Sequence, residues 1–132
     1  MPRQEWPLRH GRPCVQIVLM VALGGRPLQR TLLADTGAGS QLSRFELVLR
    51  ENDCLLCGGN PLYPTTLRGA YTGSFPTYLI PVEIPALGFA RNLRVVGVPS
   101  VSAPFDGLAS FRFLNRFHYG NFGNSGMFGL ES

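Results

Sequence analysis

The sequence predicts a mostly β protein with one or two short helices. Three observations lead there. Glycine and proline are abundant, at 16 and 11 of 132 residues, which favours short strands and turns over long helices. The apolar runs are brief and end in turn formers such as Gly24-Gly25 and Gly88. Helical patterning is confined to two short stretches. Hydrophobic residues make up 45% and charged residues 15%, the composition of a chain that packs a core. The length fits one domain, read as an extended arm over residues 1–13 and a single domain over 14–132.

The arm is rich in proline and arginine and carries Trp6, the only tryptophan. Trp6 suits an anchor on the body of the protein or at a partner interface, and the sequence leaves both open. Residues 14–34 read as a β-hairpin. Val15 to Val21 forms a buried strand, Gly24-Gly25 the turn, and Gln29 to Ala34 the return strand. Ser43 and Glu46 have the spacing of a capping box, and Leu42 and Leu47 that of a hydrophobic staple. They predict a helix from about Arg44 to Glu51, stopped by Asn52-Asp53. Residues 52–66 read as a loop holding Cys54 and Cys57. Leu67 to Pro76 reads as a hairpin tip, and Tyr78 to Ile84 as a strand placed at an edge by Pro81. Leu93 to Val98 is a further strand and Pro99 to Pro104 a loop. Asp106 is placed as the N-cap of a second helix whose Leu108, Phe111, Leu114 and Phe117 share one face. Met127 to Leu130 is expected as a last short strand.

The net charge is +4, and all the basic residues are arginines scattered along the chain. No basic run marks a nucleic-acid surface. The apolar run from Val15 to Leu23 is far too short for a membrane-spanning helix. The N-terminal residues have no apolar signal segment. Three cysteines and no export signal imply a reducing, cytoplasmic setting. Cys54-x-x-Cys57 has zinc-ligand spacing, but a structural site wants four ligands. Cys14, His10 and His118 are far apart in sequence, so unpaired loop cysteines are the default. The hydroxyls of Thr36, Ser40 and Ser43 have no nearby histidine for a serine-type mechanism. Arg112 and Arg116 are expected to face solvent.

Asp35 stands out. It ends the apolar strand Leu32-Leu33-Ala34, where a carboxylate is costly unless something needs it. Thr36-Gly37-Ala38-Gly39-Ser40 follows, a turn of small residues. A late segment has its own pattern: Val95-Val96-Gly97-Val98-Pro99, then Phe105-Asp106-Gly107-Leu108-Ala109-Ser110-Phe111-Arg112-Phe113-Leu114. Together, over roughly residues 14–117, these segments resemble the retropepsin-like aspartic proteases, as a single-domain cellular or bacterial member.

The resemblance implies a closed, mostly β barrel, a homodimer, and endopeptidase activity on polypeptide substrates with no metal or organic cofactor. Asp35 would be catalytic, with Thr36, Gly37 and Ala38 completing its loop. The flap over the substrate would lie at about residues 64–76, with Tyr71 and Gly73 as its candidate residues. Pro99 to Pro104 would wall the substrate groove, and the chain ends, Pro2 to Leu8 and Phe128 to Leu130, would interleave between subunits. Three features depart from the family pattern. Ser110 replaces a glycine at the late helix, the Cys54–Cys57 stretch is an insert, and the Gly/Phe-rich tail is long.

The chemistry of such a site needs two carboxylates about 3 Å apart sharing one proton. The ionised one takes a proton from water as the water attacks the carbonyl, and the protonated one polarises the carbonyl oxygen. The chain has three aspartates, Asp35, Asp53 and Asp106, and only Asp35 has the right context. The second carboxylate must then be Asp35 of another copy across a two-fold axis. Thr36 suits a hydrogen bond across that axis, Gly37 a close backbone approach to the carboxylate, and Ala38 leaves room for a substrate strand. The alternative is a non-catalytic module with the same fold that binds peptide or protein.

Overall fold

The computed structural model describes all residues from Met1 to Ser132. Its centre is a closed six-strand mixed β-barrel. The strands are β2 (Cys14–Leu19), β3 (Leu28–Ala34), β4 (Leu47–Arg50), β6 (Gly73–Ile84), β7 (Phe89–Val98) and β8 (Gly107–Ala109), in the order β2-β3-β8-β4-β7-β6. Pairing of Val18 with Glu83 and Leu19 with Val82 closes β6 onto β2, so the barrel leaves no open edge. β3 runs parallel to β8 and β4 parallel to β7, and the other barrel pairs are antiparallel. A further strand, β5 (Pro61–Leu67), pairs only with the first half of β6 and makes a hairpin that projects from the barrel.

The hairpin expected over residues 14–34 is present as β2 and β3 in register from Cys14↔Leu33 to Leu19↔Leu28. Val15, Ile17 and Leu19 alternate into the core and are fully buried, as period-two patterning requires. β7 and the last strand, β10 (Met127–Glu131), also lie where the sequence places them.

Neither expected helix has the predicted extent. The first is replaced by β4 and then by α1 (Glu51–Leu56). Phe45, Glu46, Leu47, Val48 and Leu49 are all buried in succession, which a one-sided helix cannot achieve. A strand enclosed between β7 and β8 achieves it. Leu42 is 90% exposed and staples nothing. The loop expected over 52–66 is instead α1 followed by β5. The second helix shrinks to the single turn α2 (Phe111–Leu114), and its intended start becomes β8. Asp106 caps no helix. It accepts a hydrogen bond from the backbone N–H of Thr31 at 2.9 Å and faces Arg50 at 3.7 Å.

Gly107 explains why β8 can slip between β3 and β4: a Cβ there would stand 2.1 Å from the carbonyl oxygen of Val48. Pro81 is not on an edge strand. β5 pairs with β6 only as far as Tyr78, and β2 begins pairing at Val82. Pro81 sits in that gap, where its missing N–H costs no ladder bond.

The chain ends form their own sheet in the order β1 (Arg3–Pro7), β10, β9 (His118–Gly120). Trp6 is buried in the main core of the same chain, which settles what it anchors. Within the chain β10 has neighbours on both sides, and β1 and β9 form the edges of this sheet. No helix is long and apolar enough to cross a membrane.

Three polar links tie the elements together. Arg30 of β3 makes two hydrogen bonds to Asp53 of α1, at 2.9 and 3.0 Å. Arg116 pairs with the buried Glu46, and Arg112 donates to the carbonyl of Ser43. These last two arginines are therefore engaged rather than simply solvated. Ser110 is fully buried, and its Oγ has no hydrogen-bond partner. An unpaired buried hydroxyl costs about 1–3 kcal/mol. Ser110→Ala is therefore expected to stabilise the fold by about 1 kcal/mol, read as a higher urea midpoint. An unchanged or lower midpoint would mean that the hydroxyl is satisfied.

Burial pushes the Cys54 thiol up from 9.0 to about 12, with Cys57, Asp53 and Glu51 adding to the shift. Burial and a 2.7 Å hydrogen bond to Glu51 push the Tyr78 hydroxyl up from 10.0 to about 12. Both groups are held neutral in the folded chain, so they favour folding fully below their unfolded values. That contribution is lost as pH rises toward 12. The urea midpoint is expected to be flat near neutrality and to fall above pH 9. Burial also pushes the Cys14 and Cys57 thiols up, so Cys54→Ala should lessen the earlier part of that fall, and an unchanged profile in this variant would contradict the assignment.

Candidate active site

Asp35 follows β3 directly, and its backbone continues the parallel pairing with β8 by donating to Ala109 O at 3.0 Å. Its carbonyl accepts from Ala38 N–H at 3.1 Å, and its Oδ1 accepts from Gly37 N–H at 3.0 Å. The loop is tied to α2 as well, because Phe111 N–H donates to Ala38 O at 2.9 Å. The backbone of the loop is therefore tied to β8 and α2, and the carboxylate accepts one hydrogen bond, from Gly37 N–H within the turn. Such a mounting of the loop is what positioned chemistry requires.

The turn after it depends on small residues. Gly39 has φ +74, and a Cβ there would lie 2.5 Å from Ser43 Oγ. Ser43 Oγ accepts from Ser40 N–H at 2.8 Å. The serine therefore closes this turn and caps no helix. Thr36 and Gly37 are exposed, while Asp35 and Ala38 are partly buried.

These residues open into a groove of about 570 Å³. Asp35, Gly37 and Ala38 form one wall. Phe45, Val48 and Leu108 supply an apolar floor. The β5–β6 hairpin, from Thr66 to Tyr71, forms the roof. Tyr71 lines the groove, and its hydroxyl accepts from Ser102 N–H at 3.1 Å. The hairpin tip is thereby latched to the loop over residues 99–104, which the sequence places as a wall. Gly73 does not line the groove. It starts β6 at φ +141, where a Cβ would meet the Phe75 ring at 3.1 Å. Thr72 Oγ1 donates to Gly69 O at 3.1 Å and braces the turn.

The structure thus brings Asp35, Gly37, Ala38 and Tyr71 to one groove and leaves Thr36 on the adjoining surface. The sequence reading missed Phe45, Val48 and Leu108 as groove residues because it assigned them to helix faces. It also missed Arg68, the only charged residue besides Asp35 to line the groove. The remaining aspartates are occupied elsewhere, Asp53 by Arg30 and Asp106 by Thr31 N–H and Arg50.

No three or more His, Cys, Asp or Glu side chains come together in an arrangement that could hold a metal. Cys14, Cys54 and Cys57 are buried free thiols, and Cys54 lies within α1 rather than in a loop. His10 and His118 are exposed. No protein-family model matches the chain, and a comparison with curated proteins returned no match.

Proposed function

We propose that this chain is a retropepsin-like aspartic endopeptidase that works as a homodimer. The observation that carries the reading is the placement of Asp35. Its backbone is tied to β8 at the end of a barrel strand, its carboxylate accepts a hydrogen bond from Gly37 N–H, it lines a groove roofed by a hairpin, and no second carboxylate lines that groove. A lone carboxylate is half of an acid–base pair. The exposed Thr36-Gly37 turn beside it offers a surface on which a second copy can place its own Asp35 across a two-fold axis.

In the dimer the two carboxylates share one proton, because like charges that close cannot both ionise. A polypeptide lies extended between the Asp35 loops and the two hairpins. The ionised carboxylate accepts a proton from a water molecule as its oxygen attacks the peptide carbonyl carbon. The protonated carboxylate donates to the carbonyl oxygen. The tetrahedral intermediate then collapses as a proton passes to the leaving nitrogen, and the C–N bond breaks. Gly37 N–H, bonded to Oδ1, fixes which oxygen of each carboxylate is free to face the water. Tyr71 and its latch to Ser102 hold the hairpin in the closed position over the groove.

The test is cleavage of an unstructured polypeptide at mildly acidic pH. Cleavage by the wild type and none by Asp35→Asn is expected. Equal cleavage by both would overturn the proposal.

A further inference from the structure

We propose that Arg68 makes the groove selective for peptides carrying an acidic side chain at the position that faces the hairpin. This rests on the peptidase reading of the groove and adds the chemical class of its preferred substrate.

Arg68 sits at the turn between β5 and β6 and lines the groove roof. The chain's four ion pairs engage Arg3, Arg30, Arg50 and Arg116. Arg68 has no carboxylate partner among them. The turn that carries it is braced by Thr72 on Gly69 and latched by Tyr71 on Ser102, which keeps Arg68 over the groove. Arg112 bonds the carbonyl of the lining residue Ser43, while Arg44 is turned onto the Tyr63 ring outside the groove, so Arg68 alone supplies a lining cation. The only carboxylate lining the groove is Asp35, which the proposed chemistry commits to the reacting bond.

An extended peptide presents successive side chains to opposite sides. Those on one side meet the apolar floor and the Asp35 loop, and those on the other meet the hairpin. A glutamate there meets an unpaired guanidinium, whose planar fork suits a carboxylate. A glutamine of the same shape gains much less, and a lysine is repelled. Arg68 is exposed, so the discrimination has the size of a partly solvated ion pair. That is about two- to five-fold in kcat/KM for glutamate over glutamine, and it shrinks as salt screens the pair.

The experiment uses a peptide series in which one position at a time is Glu, Gln or Lys. Cleavage is measured with the wild type, R68Q and R68E, and binding is measured by fluorescence anisotropy with Asp35→Asn and Asp35→Asn/R68E. The expected result is that one position favours Glu over Gln over Lys, that R68Q flattens this order, that R68E inverts it, and that binding follows suit. Cleavage without any such order would overturn the inference and leave the peptidase reading intact. Absence of cleavage together with Glu-selective binding that R68E abolishes would overturn the peptidase reading and leave the selectivity standing. Equal binding of all three peptides would overturn the selectivity.

Discussion

Replacing Asp35 by asparagine is expected to lower kcat/KM by at least about 10²–10⁴-fold, the range for loss of a positioned acid–base group, with little change in Tm. The amide oxygen of asparagine can still accept the hydrogen bond from Gly37 N–H that Asp35 Oδ1 accepts at 3.0 Å. The backbone bonds from Asp35 to Ala109 and from Ala38 to Asp35 do not involve the side chain. The substitution therefore keeps the loop and removes only the proton chemistry. In the proposed symmetric dimer it would remove both members of the pair at once, leaving no ionised carboxylate to activate water. A large loss of activity at unchanged Tm separates a catalytic role from a structural one. Comparable losses in both would mean that Asp35 serves the fold.

Arg30→Met is expected to have the largest effect on stability, a loss of about 3–5 kcal/mol. The Asp53 side chain is only 3% exposed and that of Arg30 22% exposed. Removing the arginine strands a buried carboxylate that now bonds its guanidinium twice. Against a total stability of about 5–15 kcal/mol, this threatens folding outright, with a Tm lower by on the order of 10–15 °C. The double variant Arg30→Met/Asp53→Leu should recover much of the loss, because the cost comes from the unpaired charge rather than from absence of the pair. A single-variant loss below about 1 kcal/mol would place this pair among weak surface contacts.

What was legible in the sequence was what local pattern decides. The alternation of Val15, Ile17 and Leu19, the Gly24-Gly25 turn and the apolar lead into Asp35 were enough to place the first hairpin and the carboxylate at its end. The tip of the hairpin over the groove was legible from its glycines, but its first strand, β5, was read as part of a loop. The errors fell where a distant residue claimed a local signal. Ser43 and Glu46 have capping-box spacing, but the Ser43 carbonyl is taken by Arg112, 69 positions away, and the Glu46 carboxylate by Arg116, 70 positions away. Asp106 resembles a cap, but its carboxylate is taken by Thr31 and Arg50. Leu47-Val48-Leu49 becomes a strand because β7 and β8 flank it, and no short window of sequence contains those neighbours. Arg68 was invisible for a related reason. Its place depends on which way the hairpin folds over the barrel, and that is set by the pairing of β6 with β7 and β2.

The central claim is that each chain supplies half of one site, and mixing chains tests it most directly. Wild type and Asp35→Asn are combined at a fixed total concentration, allowed to exchange, and assayed on the same polypeptide. A shared dyad predicts that activity falls as the square of the wild-type fraction, because dimers with one asparagine lack the pair. Activity that falls in simple proportion to that fraction would mean that a single chain is a complete catalyst, and it would contradict the account.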